Sequence, residues 1–303
     1  MTYQPLLLSS RLRHIVFPDE ARRRSPVVNV AACGEPAPEA GPAGPDLSHE
    51  AATLTHWLFA QAGLDARQYR TETLRRRLPA CLRLLRARSP AHARQVLEQK
   101  PGLAAAALSS LLVGVTSFFR DPPVFDTLER QLLPELARGR AGLYLWSAGC
   151  SDGAELYSLA LLLADASLLG QSYLLGTDCR ADALARAREG CFDAAAVRAV
   201  PPHLLGRYFT PWAGGWQAVP ALRGALRWRT ADVLKTLEPG AWDVILFRNT
   251  AMYLRAEAAN PLWARLETAL RPGGLLVLGK AERPTGAGRL SPVGPCIYRR
   301  NRG

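Results

Sequence analysis

No C-x-x-C pair occurs in this chain, and its six cysteines (Cys33, Cys81, Cys150, Cys179, Cys191 and Cys296) lie scattered, away from the five histidines. That spacing excludes the usual zinc frameworks and a disulfide scaffold, so no metal site is expected and the cysteines read as small core residues. Long apolar runs are lacking as well. The longest, Leu103–Val115 with two serines inside it, is too short to span a bilayer and reads as a buried helix, so no membrane insertion is expected. The opening MTYQPLLLSSRLRHIVF has none of the charged, apolar and small-residue order of a secretory signal, and a cytoplasmic location is expected. No internal repeat is evident.

What is present is an ordinary globular composition. Hydrophobic residues make up 48% and charged residues 21% of 303 residues, enough for two domains and a sizeable core. The net charge of +12 is unevenly spread: residues 51–120 hold eleven Arg and Lys against three Asp and Glu. A basic face confined to one small region points to an anionic partner. Arg greatly outnumbers Lys, however, so part of this charge also reads as solvated surface.

Residues 1–48 are rich in Pro, Gly, Ala and Arg and read as a poorly ordered arm. Residues 49–116 read as a helical domain. Leu54, Trp57, Leu58 and Ala62 recur at helical spacing, and a second helix over Thr71–Ala87 carries Leu74, Leu78, Leu82 and Leu85 on one side. Arg75, Arg76, Arg77, Arg83 and Arg86 lie largely on other sides, and Pro79 predicts a kink or break. Pro90–Gln99 and Leu103–Leu112 supply two more helices. From about 125 helices alternate with strands, beginning with a helix over Val124–Ala137. Strands are predicted at Leu143–Ala148, Ser172–Asp178, Leu226–Asp232, Trp242–Arg248 and Leu275–Gly279, with helices at Glu155–Ala166, Ala181–Glu189 and Asn260–Leu270. PGG at 272–274 reads as a turn and Arg289–Arg300 as a hairpin. The alternation predicts a doubly wound, mainly parallel α/β sheet over 117–303, and the glycines and tryptophans of Tyr208–Leu226 suggest a small antiparallel insertion.

In such sheets ligands bind beyond the carboxyl ends of the strands. The first strand delivers the small-residue turn Ser147–Gly153 and then Glu155; the second delivers Asp178, the third Asp232, and the fourth Arg248 and Asn249 with Tyr253 beyond. An aspartate ending the second strand is well placed to accept from two ribose hydroxyls, although Asp178 could instead cap a helix. Glu155 could merely favour a helix dipole, and Asp232 merely a turn. The turn lacks the G-x-G-x-x-G of a pyrophosphate cradle, and Asp152 and Glu155 would repel a phosphate. These features favour a ligand with a ribose, a cationic end and no phosphate, which describes S-adenosylmethionine.

Several motifs in order carry a resemblance: GLDARQYRTETLRRRL (63–78), TSFFRD (116–121), WSAGCSDGAELYSLA (146–160), GTDCRADALARAREGCF (176–192), RYF (207–209), WDVILFRNTAMYL (242–254) and LRPGGLLVLGKAE (270–282). The chain resembles the chemotaxis-receptor glutamate methyltransferases, the CheR type, from about 52 to 300. The resemblance implies a Rossmann-like methyltransferase sheet, a small all-helical domain before it, and a three-stranded β-subdomain inserted at about 208–228. It implies that Thr116, Gly149, Glu155, Asp178, Asp232, Val233, Arg248 and Asn249 hold S-adenosylmethionine or its product S-adenosylhomocysteine. Glu155 would meet the amino group, Asp178 the ribose, and Asp232 and Val233 the adenine. Arg120 would lie near both the methionine end and the acceptor, and Tyr253 would orient the acceptor. Departures from the family pattern include Gly114 and Asp232, each where Asn is usual, and Lys280–Ala281 in place of His–Ser.

The implied reaction forms a glutamate methyl ester on a chemoreceptor-like protein. Arg75, Arg76, Arg77 and Arg83 would steer its acidic helical region. A monomer is expected. A cofactor-binding regulatory homologue with weak or no turnover is the alternative. Methylation of nucleic acid or a small molecule is a weaker third reading, because no stacking aromatics interleave with the basic charge and no N/D-P-P-Y motif occurs.

Overall fold

The computed structural model describes residues 47–112, 114 and 116–302. The expected N-terminal arm, 1–48, therefore falls outside the described residues except for Leu47 and Ser48. Four helices come first: α1 (His49–Gln61), α2 (Thr71–Leu84), α3 (Pro90–Gln99) and α4 (Ala104–Leu111). Serines start two of them. Ser48 Oγ accepts from the Ala51 N–H at 3.3 Å, and Ser89 Oγ from the His92 N–H at 3.1 Å with Pro90 in the first turn. Their apolar stripes bury Leu54, Leu58, Phe59, Leu74, Leu78, Leu97, Leu108 and Leu111 in one cluster.

α2 runs through Pro79 without the expected break. The proline removes one intrahelical bond, at a cost of about 3 kcal/mol. Leu74 and Leu78 before it and Cys81 and Leu85 after it are all buried, so core packing holds both halves on one axis. Proline has the opposite outcome in the next segment. The helix expected over 124–137 is α5 (Pro122–Thr127), one π turn at Leu128–Leu132, and α6 (Leu133–Ala137). Pro134 has no N–H to give to the carbonyl four residues back, and the ladder widens just ahead of it.

The remaining elements are β1 (Tyr144–Ala148), α7 (Ala154–Asp165), β2 (Tyr173–Asp178), α8 (Ala181–Glu189), β3 (Cys191–Asp193), α9 (Pro202–Tyr208), β4 (Phe209–Trp212), β5 (Gly215–Ala218), α10 (Pro220–Gly224), β6 (Leu226–Thr230), β7 (Trp242–Phe247), α11 (Ala256–Ala269), β8 (Leu270–Leu278), β9 (Leu290–Gly294) and β10 (Ile297–Arg300). Seven strands form one sheet in the order β6-β2-β1-β7-β8-β10-β9. The first five are mutually parallel, and β10 pairs antiparallel with both β8 and β9. Alternate residues face opposite layers. Leu145, Leu174, Val244, Leu246 and Val277 pack with α7, and Trp146, Leu175, Ile245, Phe247 and Leu276 with α11. β8 begins at Leu270, so the predicted PGG turn is an irregularity within the strand: Leu270 pairs with Trp242, and Leu275 with Val244. No helix among the described residues is long and apolar enough to cross a membrane.

A separate three-stranded antiparallel sheet has the order β3-β5-β4. Only two of its strands come from the segment expected to contain it, about 208–228. The third is β3, upstream at 191–193, while α10 and most of β6 occupy the end of that range. Gly190, at φ 62°, turns the chain out of α8 into β3. Gly215 lets the strands meet, since a Cβ there would stand 2.1 Å from the Phe192 carbonyl oxygen. Three residues are too few to display a strand period.

Candidate functional site

The strand order reverses between β1 and β7, and a cleft opens beyond the carboxyl ends of β1, β2, β6 and β7. Its other wall comes from the helical region: Tyr69, Thr73 and Leu74 at the start of α2, and Leu111 and Leu112 at the end of α4. Thr116, Arg120, Gly149, Glu155 and Asp178 line this cleft, together with Asp232, Val233, Arg248, Asn249 and Tyr253. The sequence residues expected at the cofactor and at the reacting centre thus share one cavity. Arg75, Arg76, Arg77 and Arg83 do not line it. They lie on α2, where Arg75 pairs with Glu72 at 2.8 Å and Arg76 and Arg83 are exposed.

The turn after β1 is folded back on β2. Gly149 and Cys150 both donate their N–H to the Thr177 carbonyl, at 2.8 and 2.9 Å. Gly149 has φ 69°, and a Cβ there would meet Thr250 Oγ1 at 2.8 Å, so glycine serves both the turn and the close approach. Asp178, buried at the end of β2, accepts four hydrogen bonds. The Ser151 N–H (2.8 Å) and Arg180 Nη2 (3.2 Å) reach Oδ2, and the Arg180 N–H (2.9 Å) and Nε (3.0 Å) reach Oδ1.

Glu155 stands in the first turn of α7 and pairs with the buried Arg248. Arg248 also donates to Asp121 at 2.6 Å, and Asp121 pairs with Lys280 at 2.9 Å. Burial pushes the Glu155 carboxyl above its ordinary value, and the cations of Arg248 and Arg120 offset this only in part. Burial likewise raises Asp232.

Glu282, the last residue of the motif LRPGGLLVLGKAE, organises the loop after β7, a role nothing in the sequence reveals. Its carboxylate accepts from the N–H groups of Asn249, Thr250 and Gly279 at 2.8 Å each and of Met252 at 3.3 Å. This holds Asn249 at φ 54°. The helical region grips the far end of the loop. The Arg70 N–H donates to the Tyr253 carbonyl and the Arg255 N–H to the Gln68 carbonyl, both at 2.9 Å. Tyr69, Thr73, Leu74, Leu111 and Leu112 were also not foreseen as cleft residues. Their apolar or helical spacing reads as core, and much of each is core.

Three buried polar atoms in the cleft have no hydrogen-bond partner among the described residues: Thr116 Oγ1, Asp232 Oδ2 and Asn249 Oδ1. Buried polar groups are rarely left unsatisfied, so these two acceptors and one hydroxyl are open to a ligand or water. With the carboxylates of Glu155 and Asp178 they form a set that suits a ligand carrying an ammonium, sugar hydroxyls and an amino heterocycle, and that repels phosphate. An adenosyl amino-acid sulfonium has those groups, and the residues present fit it.

Residues 114–290 match the family model described as "CheR methyltransferase, SAM binding domain". Chemotaxis protein methyltransferase 1 of Pseudomonas aeruginosa is 32% identical over 199 residues, which is 62% of this chain and 73% of that protein. The chemotaxis protein methyltransferase of Listeria monocytogenes is 28% identical over 240 residues, 79% of this chain and 92% of that protein. That of Escherichia coli is 29% identical over 240 residues, with coverage of 76% and 82%.

Proposed function

The chain belongs to the CheR methyltransferase family, and from that membership we propose that it methylates glutamate side chains in an acidic helical region of a chemoreceptor-like protein. It is an S-adenosylmethionine-dependent chemotaxis methyltransferase. The observation that carries it is the cleft itself: carboxylates from three successive segments, with Asp232 Oδ2 and Asn249 Oδ1 unpartnered, line one cavity beside Arg120.

Bound S-adenosylmethionine supplies a methyl group on a sulfonium. Glu155 takes the amino group, Asp178 the ribose, and Asp232 with Val233 the adenine, while Thr116, Gly149 and Asn249 complete the wall. Arg248 keeps Glu155 oriented through their ion pair. A glutamate carboxyl has a pKa near 4.3 and is ionised at neutral pH, so no general base is required. What remains is to aim one oxygen at the methyl group and strip its water, tasks suited to Arg120 and Tyr253 at the cleft. An Arg–carboxylate bond positions the acceptor well, at some cost in nucleophilicity.

Outside the cleft, Arg75, Arg76, Arg77 and Arg83 on α2 supply long-range attraction for an acidic helix bundle. Thr73 and Leu74 of the same helix reach the cleft, so a partner docked on the basic side lies close to the opening. The test is transfer of a labelled methyl group to an acidic receptor fragment. A base-labile ester on glutamate is the expected product. A protein that binds S-adenosylhomocysteine and forms no such ester is a regulatory homologue, and the acceptor reading is then wrong.

A further inference from the structure

Asp178 is the one carboxylate of the cleft whose acceptor capacity is filled. Its two oxygens offer about four lone-pair sites. Two are taken by the main-chain N–H groups of Ser151 and Arg180, and two by the guanidinium of Arg180, through Nε and Nη2. Asp232 and Asn249, by contrast, each retain an unpartnered oxygen in the same cavity. The Arg180 side chain is only 7% exposed and itself lines the cleft. Its seat is Gly114. A Cβ at that position would stand 1.9 Å from Nη1 and 2.5 Å from Cζ, so the absence of a side chain there admits the guanidinium. Gly114 is fixed in turn, because its carbonyl accepts from Ser151 Oγ at 2.8 Å.

From this geometry, and resting on the cofactor reading above, we infer that Arg180 is an internal competitor for the cofactor's ribose and sets the affinity and sugar selectivity of the site. The exchange is one for one. Two guanidinium N–H bonds leave Asp178, two ribose O–H bonds replace them, and the two main-chain bonds stay to hold the carboxylate in place. Affinity is reduced by the fraction of time that Arg180 occupies the position. A ligand without the two hydroxyls has nothing to offer Asp178 in exchange, and removing Arg180 does not help it.

The test is calorimetric titration of the full chain, two single variants and the double variant with S-adenosylhomocysteine and with its 2′,3′-dideoxy analogue. Arg180→Met keeps the apolar stem and removes the competing donors. Gly114→Ala keeps the arginine and expels it, since the obstructed atoms are the far end of a flexible side chain. Both variants are expected to bind S-adenosylhomocysteine more tightly than the natural protein, by on the order of tenfold for a competitor present about nine-tenths of the time. The double variant is expected to gain no more than either alone, because both remove one contact. The dideoxy analogue is expected to bind all four proteins alike. Equal or weaker binding of S-adenosylhomocysteine by Arg180→Met overturns the inference, as does a gain shared by the dideoxy analogue. Absence of binding by all four proteins overturns the cofactor reading, and this inference with it.

Discussion

Arg70 gives its main-chain N–H to the carbonyl oxygen of Tyr253 at 2.9 Å, across 183 residues of sequence. The bond stitches the start of α2 to the loop that carries Asn249 and Tyr253. Arg70 Nε adds a second bond to the Leu254 carbonyl at 2.9 Å, and Tyr69 bridges Leu254. The helical region is therefore part of the cleft wall. The start of α2 thereby bears on the loop that carries Tyr253.

Charge reversal on the exposed side of α2 is expected to separate docking from cofactor binding. Arg76→Glu combined with Arg83→Glu should lower methylation of an acidic receptor fragment at low ionic strength by about tenfold or more, through weaker encounter. The affinity for S-adenosylhomocysteine should not change. Added salt should slow the natural protein and narrow the gap. Equal loss of both properties in a calorimetric and labelling comparison would point to misfolding.

Glu282 has no exposed role, yet four main-chain N–H groups converge on it. Glu282→Ala leaves those donors buried and unpaired, and chemical denaturation is expected to show a loss of about 3 kcal/mol or more. Glu282→Gln keeps part of the acceptor set and should lose less. In the folded fraction of Glu282→Gln, turnover should fall more than S-adenosylhomocysteine affinity, because the loop carries Tyr253.

Gly149→Ala puts a Cβ where φ is 69° and where Thr250 Oγ1 would lie 2.8 Å away. The left-handed conformation alone costs an L-residue about 1 kcal/mol. Stability should drop by that amount or more in a denaturant titration, with weaker S-adenosylhomocysteine binding. Pairing it with Thr250→Ser, which removes a methyl group but leaves Oγ1, should recover little.

Cofactor affinity should depend on pH in a definite direction. Burial raises Glu155 and Asp232, so both take up protons at a higher pH than ordinary carboxylates. The ionised forms are the ones that attract a cationic amino acid and an adenine amino group. Affinity is therefore complete above the raised pKa values and is lost as pH falls through them. Calorimetry in steps from about pH 8 to pH 5 should show this fall, and Glu155→Gln should flatten part of it. Affinity that rises with acid would contradict the assignment of these carboxylates.

The strand ends were legible because a parallel sheet writes itself in short apolar runs, and the residues after each run can be collected without any coordinates. Gly149, Glu155, Asp178, Asp232, Arg248, Asn249 and Tyr253 follow such runs, whereas Thr116, Arg120 and Val233 were implied by the family resemblance; all ten line one cleft. Residues that do two things were harder to read. Leu74 and Leu111 recur at helical spacing because they are core, and the same residues wall the cleft. Arg180 precedes a helix and nothing in the sequence singles it out; only the opening above Gly114 reveals that it turns inward. Pro79 reads as a breaker because local rules count a lost hydrogen bond and not the buried leucines on each side. β3 is three residues long, and its pairing depends on Gly215, more than twenty residues later.

The most direct measurement is a titration of the full chain with S-adenosylhomocysteine, followed by calorimetry and by thermal unfolding. Saturable heat at one ligand per chain, with a higher unfolding temperature, is the result expected of a cleft that grips an adenosyl amino acid by its carboxylates. No saturable heat and an unchanged unfolding temperature would contradict it.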